Sequence, residues 1–206
     1  MSLWGDAHAA STNKPKFLPE DENSDYNRAD CYATQAGWVM QAGHPSSGNS
    51  NTSATPEVLV ASGGLAGKDA SSGLRTPTVT AMRFVKGTTA TTDMTAADST
   101  ARIRVEVTWD EEVTVVGTPQ LVVVNGNQSS GGLGNYTLSY ISAGSTANRK
   151  LFEATSQSLG NTDVLTVGAA DIALNSGTLS DTVVGGTTLA ASRVVSGVTQ
   201  VITILS

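Results

Sequence analysis

The sequence predicts an all-β protein whose body is a sandwich of short antiparallel strands, and three observations carry that prediction. The first is alternation. Along residues 101–126, ARIRVEVTWDEEVTVVGTPQLVVVNG, Ile103, Val105, Val107 and Trp109 share one face at period two, and Arg102, Arg104, Glu106 and Thr108 share the other. One face is expected in the core and the other in water, with the run after Asp110-Glu111-Glu112 returning as a paired strand. The second observation is composition: 21 glycines in 206 residues, with abundant Ser, Thr, Ala and Val, suit a turn-rich β protein. The third is recurrence. Strand-like runs at 79–85, 101–109, 113–116, 120–124, 136–141, 150–154 and 164–167 are separated by turn formers such as Asn125-Gly126, Gly160-Asn161 and Asn175-Ser176-Gly177.

Seven short strands at this spacing predict an immunoglobulin-like β-sandwich over 78–185. Ahead of it, residues 1–42 read as an extended amino-terminal docking arm. Its large apolar residues, Leu3, Trp4, Phe17, Leu18 and Trp38 among them, are too few to close a core, which makes those five the expected anchors on a partner. Residues 43–77 read as a Gly/Ser/Asn-rich linker, flexible through Ser46-Ser47-Gly48-Asn49-Ser50-Asn51-Thr52-Ser53-Ala54-Thr55, with one short strand at 57–61. Residues 186–206 carry two alternating runs joined at Ser196-Gly197. They predict a carboxy-terminal β-hairpin, or a strand lent to a neighbouring subunit.

Charge excludes several functions. The net charge is −6 and no Lys/Arg cluster occurs, so nucleic acid is not an expected partner. No apolar run is long enough to span a bilayer as a helix, and the first ten residues lack the pattern of a secretory signal. Cys31 is the only cysteine, which rules out an intrachain disulfide and suggests a small, partly buried thiol. His8 and His44 sit among small residues, without an evident packed shell to orient an imidazole, so no enzymatic activity and no catalytic residue are expected. Gly63-Gly64-Leu65-Ala66-Gly67-Lys68 fails the phosphate-loop spacing because Asp69 stands where Ser or Thr is required. The acidic cluster Glu20, Asp21, Glu22, Asp25 and Asp30 does not match a calcium loop, and Asp110-Glu111-Glu112 reads as a solvated turn. No metal and no cofactor are expected.

From Arg102 onward, the run VEVTWDEEVTVVGTPQLVVVNG resembles the bacterial immunoglobulin-like repeat of large surface adhesins, and DIALNSGTLSD, starting at Asp171, resembles that repeat's closing segment. The resemblance covers 77–185, about half the chain, and implies a fold more than a function. The arm carries a looser one. MSLWGD at Met1, KPKFL at Lys14, AGWV at Ala36 and EVLVA at Glu57 are similar to the start of virion structural proteins of marine tailed phages, contractile-tailed cyanophages especially.

Together these imply a virion structural protein made in host cytoplasm and assembled on the particle, since a surface-type sandwich without an export signal suits a phage. The expected role is capsid decoration or cement, with the arm on the head shell and the sandwich displayed. A neck or tail component is one alternative. A glycan-binding adhesion module is another, with Tyr136 and Tyr140 as its only aromatic candidates. The implied partners are the major capsid protein or other virion subunits and further copies of the chain, a trimer among the arrangements that fit.

Overall fold

The strands follow the alternation where it is strongest. The computed structural model describes residues 14–19, 28–45, 47–66, 74, 76–86, 89–91, 93–95, 102–127, 134–155, 157, 159–181 and 189–205. These residues are all-β, with two isolated 3-10 turns at Arg28–Asp30 and Ser196–Val198. In chain order the strands are β1 (Tyr32–Thr34), β2 (Gly37–Met40), β3 (Glu57–Ala61), β4 (Val79–Lys86), β5 (Thr89–Ala90), β6 (Met94–Thr95) and β7 (Arg102–Trp109). There follow β8 (Val113–Val116), β9 (Gln120–Asn127), β10 (Asn135–Ile141), β11 (Arg149–Thr155), β12 (Val164–Val167), β13 (Thr178–Asp181) and β14 (Gln200–Leu205).

They form three sheets. The largest has nine strands in the order β5-β4-β7-β11-β10-β9-β12-β14-β6. All its pairs are antiparallel except β14 with β6, and it curls until β14 lies against β4. Strands β13 and β8 form a two-stranded sheet that shares the same core through Leu179 and Val113. That core takes the predicted inward face of β7, since Ile103, Val105, Val107 and Trp109 are all fully buried. It adds Leu121, Val123, Leu138, Phe152, Leu165, Ile202 and Ile204 from the flanking strands. Each such side chain contributes about 1.5–3 kcal/mol by leaving water. The Trp109 indole N–H also donates to the Ser192 carbonyl at 2.9 Å, so the largest core residue holds the carboxy-terminal segment in place.

Four expectations give way to longer-range pairing. The runs either side of the acidic turn do not pair: β7 joins β4 and β11, while β8 leaves for β13. The turn is therefore a crossing between sheets, not the tip of a hairpin. Asn125-Gly126 is no turn but part of β9, with the Asn125 amide donating to buried Asp163 at 2.9 Å. In place of a terminal hairpin, β14 is embedded in the large sheet between β12 and β6. Residues 189–195 bridge to Leu179, Asp181 and Ile172, because the open edge of β13 offers them backbone partners.

The fourth change is at the amino terminus, where the described residues form a small module and not an extended arm. Strands β1, β2 and β3 make an antiparallel sheet over Leu18, Cys31, Ala33, Trp38, Met40, Leu65 and Leu74. The stretch read as a linker closes the β2–β3 connection through its own polar groups. Asn51 N–H donates to Asn49 Oδ1 at 2.9 Å, Ser53 N–H to Asn51 Oδ1 at 3.1 Å, and Ser47 Oγ to Glu57 Oε2 at 2.8 Å. The β1–β2 turn depends on Gly37, whose φ of +133° no side-chain-bearing residue adopts readily and whose added Cβ would strike the Val60 carbonyl. Gly37→Ala is expected to destabilise this module by more than about 1 kcal/mol. Gly63→Ala, where a Cβ meets nothing within 4 Å, leaves the thermal midpoint unchanged. Circular dichroism melts with limited proteolysis of the amino-terminal sheet check both.

Candidate functional site

The face of β7 expected in water is covered at its carboxy-terminal end, while Arg102 at the other end is exposed. Glu106 and Thr108 are almost fully buried, because the amino-terminal module sits on the outward face of β4, β7 and β11. The strand registers explain what is found there. Arg83 on β4 lies directly opposite Glu106 on β7, and Arg149 opens β11 opposite Thr108. Three charged residues thus stand side by side on one face of the large sheet. The amino-terminal module brings a fourth, Asp30, from the 3-10 turn just before β1.

The four form a buried ionic seam. Arg83 Nε donates to Glu106 Oε1 at 2.8 Å, and an Arg149 guanidinium N–H donates to Asp30 Oδ1 at 3.0 Å. The second contacts, Arg83 with Asp30 and Arg149 with Glu106, are each 3.8 Å. His44 completes the arrangement, its Nε2–H donating to Asp30 Oδ2 at 2.8 Å. Burial alone would push the Asp30 carboxyl up. The His44 hydrogen bond and the Arg149 and Arg83 guanidinium groups outweigh it and hold the carboxyl below the usual range. His44 is therefore packed and oriented by a carboxylate, contrary to the expectation from its small neighbours.

A second cluster lies at the crossing after β7. The Ala33 N–H donates to the Asp110 carbonyl at 2.7 Å, joining β1 to the acidic turn, and the Thr78 N–H donates to Asp110 Oδ1 at 2.6 Å. Lys14 is buried beside them, its Nζ donating to the Ala29 carbonyl at 3.0 Å. Burial lowers its pKa to about 8 despite the opposing charges of Cys31, Asp110 and Asp30. Burial also raises Asp110 to about 6, against the Thr78 hydrogen bond and Lys14. Glu111 is pushed to about 8, first by burial and then by Asp110 and Asp181. Its Oε1 finds no hydrogen-bond partner among the described residues. The turn read as solvated is thus largely interior, since the amino-terminal module covers it. Cys31 is fully buried and its thiol is pushed to about 12 by burial, which makes it unreactive as a nucleophile.

The expected anchors separate. Trp38 and Leu18 are buried in the core of the amino-terminal module, so they stabilise it from within and do not face a partner. Phe17 is 69% exposed. Leu3 and Trp4 lie outside the described residues. Tyr136 is buried and Tyr140 packs edge-on to Phe152, centroids 6.2 Å apart, so neither offers a flat ring to a sugar. Among the described residues no group of three or more His, Cys, Asp or Glu could hold a metal ion, and no helix is long and apolar enough to cross a membrane. Comparison with protein-family models, curated proteins and solved structures gives no match.

Sequence reasoning missed the seam. The one signal for it was Arg83, the charge in the middle of the run VTAMRFV. Asp30→Ala leaves two guanidinium groups buried against the single carboxylate of Glu106 and is expected to cost roughly 3–5 kcal/mol, read by chemical denaturation at pH 7. Because the folded Asp30 carboxyl titrates below its unfolded value, its stabilisation is present above the ordinary aspartate value of 3.8 and vanishes as pH falls through the folded value. Glu111 has the opposite sign. Its folded pKa is raised, so stability is lost as pH climbs from 4.5 through about 8. Glu111→Gln should raise the melting temperature at pH 9 and change it little at pH 4.

Proposed function

We propose that this chain is a virion structural protein, a decoration or cement subunit of a tailed-phage capsid, acting by binding and shape with no reactive centre. One observation carries the reading beyond the sequence resemblances. The charged side chains that could have built a polar cleft, Asp30, Arg83, Glu106, Arg149 and His44, tie one β-module to the other. Such a junction makes a rigid two-part body, which suits a subunit that must hold its shape between neighbours. The docking element is then the region around exposed Phe17, together with the sequence ahead of it, and not the buried Leu18 and Trp38.

A neck or tail position is the second reading, and copy number separates the two. Quantitative mass spectrometry of the purified virion is expected to find the chain in fixed proportion to the major shell protein. A single ring's worth of copies would assign it to the neck or tail, and its absence from the particle would overturn the proposal. Added back to shells lacking it, the Phe17→Ala variant should bind roughly tenfold more weakly with an unchanged melting temperature, as for loss of one interfacial aromatic. Trp38→Ala is expected to lower the melting temperature instead, by the roughly 3–5 kcal/mol of a large core truncation.

A further inference from the structure

Glu111 stands on the crossing between β7 and β8, only 2% exposed, and its Oε1 finds no hydrogen-bond partner among the described residues. The charges that bear on it, Asp110 on the same turn and Asp181 at the end of β13, both have its own sign. Two cations lie in the neighbourhood, and each is engaged elsewhere. Lys14 donates to the Ala29 carbonyl and faces Asp110, Asp30 and Cys31, while Lys150 donates to the Thr146 carbonyl and faces Glu112. Tyr32 on β1 also faces Glu112 and brings no positive charge. An ionised Glu111 would be a buried carboxylate with no answering charge, and a group so placed either keeps its proton or regains water.

The cover over Glu111 decides which part of the fold must move. Strand β1 runs parallel beside the turn, with Ala33 bridged to Glu111 and the Ala33 N–H donating to the Asp110 carbonyl at 2.7 Å. This strand has three residues and is carried by β2 and β3 of its own sheet. The other side of the turn is firmer, since β7 is paired with β4 and β11, and β8 with β13. Water therefore reaches Glu111 most easily by the lifting of β1. The lifted module stays tethered to the sandwich at Thr78, whose N–H is held by Asp110 Oδ1.

We propose that this turn is a proton-operated latch: the amino-terminal module is docked while Glu111 carries its proton and detaches from the large sheet, with the sandwich still folded, when that proton is lost. Detachment rehydrates Glu111 and uncovers Arg83, Glu106 and Arg149, and the attraction of the two arginines for Asp30 brings the module back when the proton returns. The sign follows from burial. Asp110, raised to about 6, and Glu111, raised to about 8, oppose docking more strongly as pH climbs through those values. Lys14 and Lys150, both lowered to about 8, act the other way, because the penalty on their charged forms fades between about 8 and 10.5. The latch is thus loosest near pH 8 and tightest in the mildly acidic range above the titration of Asp30. It operates whether or not the protein belongs to a capsid.

Hydrogen exchange of the full chain, resolved by residue with NMR and expressed as protection relative to the unfolded rate at each pH, tests the latch. From pH 6 to pH 8 the protection of the Ala33 amide is expected to fall roughly tenfold or more, with that of the β7 and β11 amides unchanged. Alkylation of Cys31, buried beside Lys14 and Asp30, should accelerate in parallel once divided by the rate for the urea-unfolded chain at the same pH. Glu111→Gln, which keeps the shape and cannot ionise, is expected to flatten both profiles. Asp181→Asn, which removes a like charge facing Glu111, should move them to higher pH. Flat profiles in the parent chain, profiles undiminished in folded Glu111→Gln, or β7 and β11 losing protection in step with Ala33 would each overturn the proposal. Should Glu111→Gln not fold, profiles left in place by Asp181→Asn overturn it equally.

Discussion

The structure depends on one electrostatic constraint: Arg83, Glu106 and Arg149 stand on a sheet face that is buried, so their charge must be answered from another part of the chain. Asp30 answers it. Bringing four ions out of water costs several kcal/mol each, and the mutual attraction repays this only in good geometry. The seam is thus weak as a source of net stability and strong as a selector of arrangement. A module shifted by a few ångströms would leave two guanidinium groups buried against one carboxylate. The position of the amino-terminal sheet on the sandwich is set by that penalty more than by its small apolar core.

The same constraint explains the asymmetry of the large sheet. A polar outward face is affordable on β4, β7 and β11 because a second layer supplies its counterions, and the layer is held there because the face is charged. On β9, β12 and β14 the outward side chains are valines, threonines and a leucine. One half of the face is specific and closed, while the other is generic and open.

Much of the fold was legible because period-two alternation is a local property. The strand over Arg102–Trp109, its inward face and the burial of Trp109 follow directly from side-chain order. What alternation cannot reveal is whether the polar side meets water or another layer, and here Glu106 was misplaced because its cover comes from Asp30, far away in sequence. Strands β1 and β2, of three and four residues, are too short to display a period, so their region read as an arm. Asn125-Gly126 carried the chemistry of a hairpin turn, but a buried carboxylate at Asp163 draws the Asn125 amide and keeps the segment extended. The terminal run read as half of a hairpin for the same kind of reason: its partners, β12 and β6, both lie far before it in the chain, where local pattern does not connect them.

At the junction the two clusters pull in opposite directions. Asp30 favours its ionised form because His44 and two arginines face it, whereas Asp110 and Glu111 are driven toward their protonated forms by burial with little compensation. Lys14, between them, is itself held down by burial and only partly offsets the acidic turn. Both sides are satisfied only within a window, since raising the pH past about 6 goes on to charge the turn beneath β1. The mildly acidic range, above the titration of Asp30 and below that of Glu111, is where the docked arrangement meets the least opposition. A junction optimised for stability alone would have replaced the buried acids of the turn with apolar residues. Their presence beneath β1 makes the amino-terminal module the part of the fold whose attachment responds most directly to proton concentration.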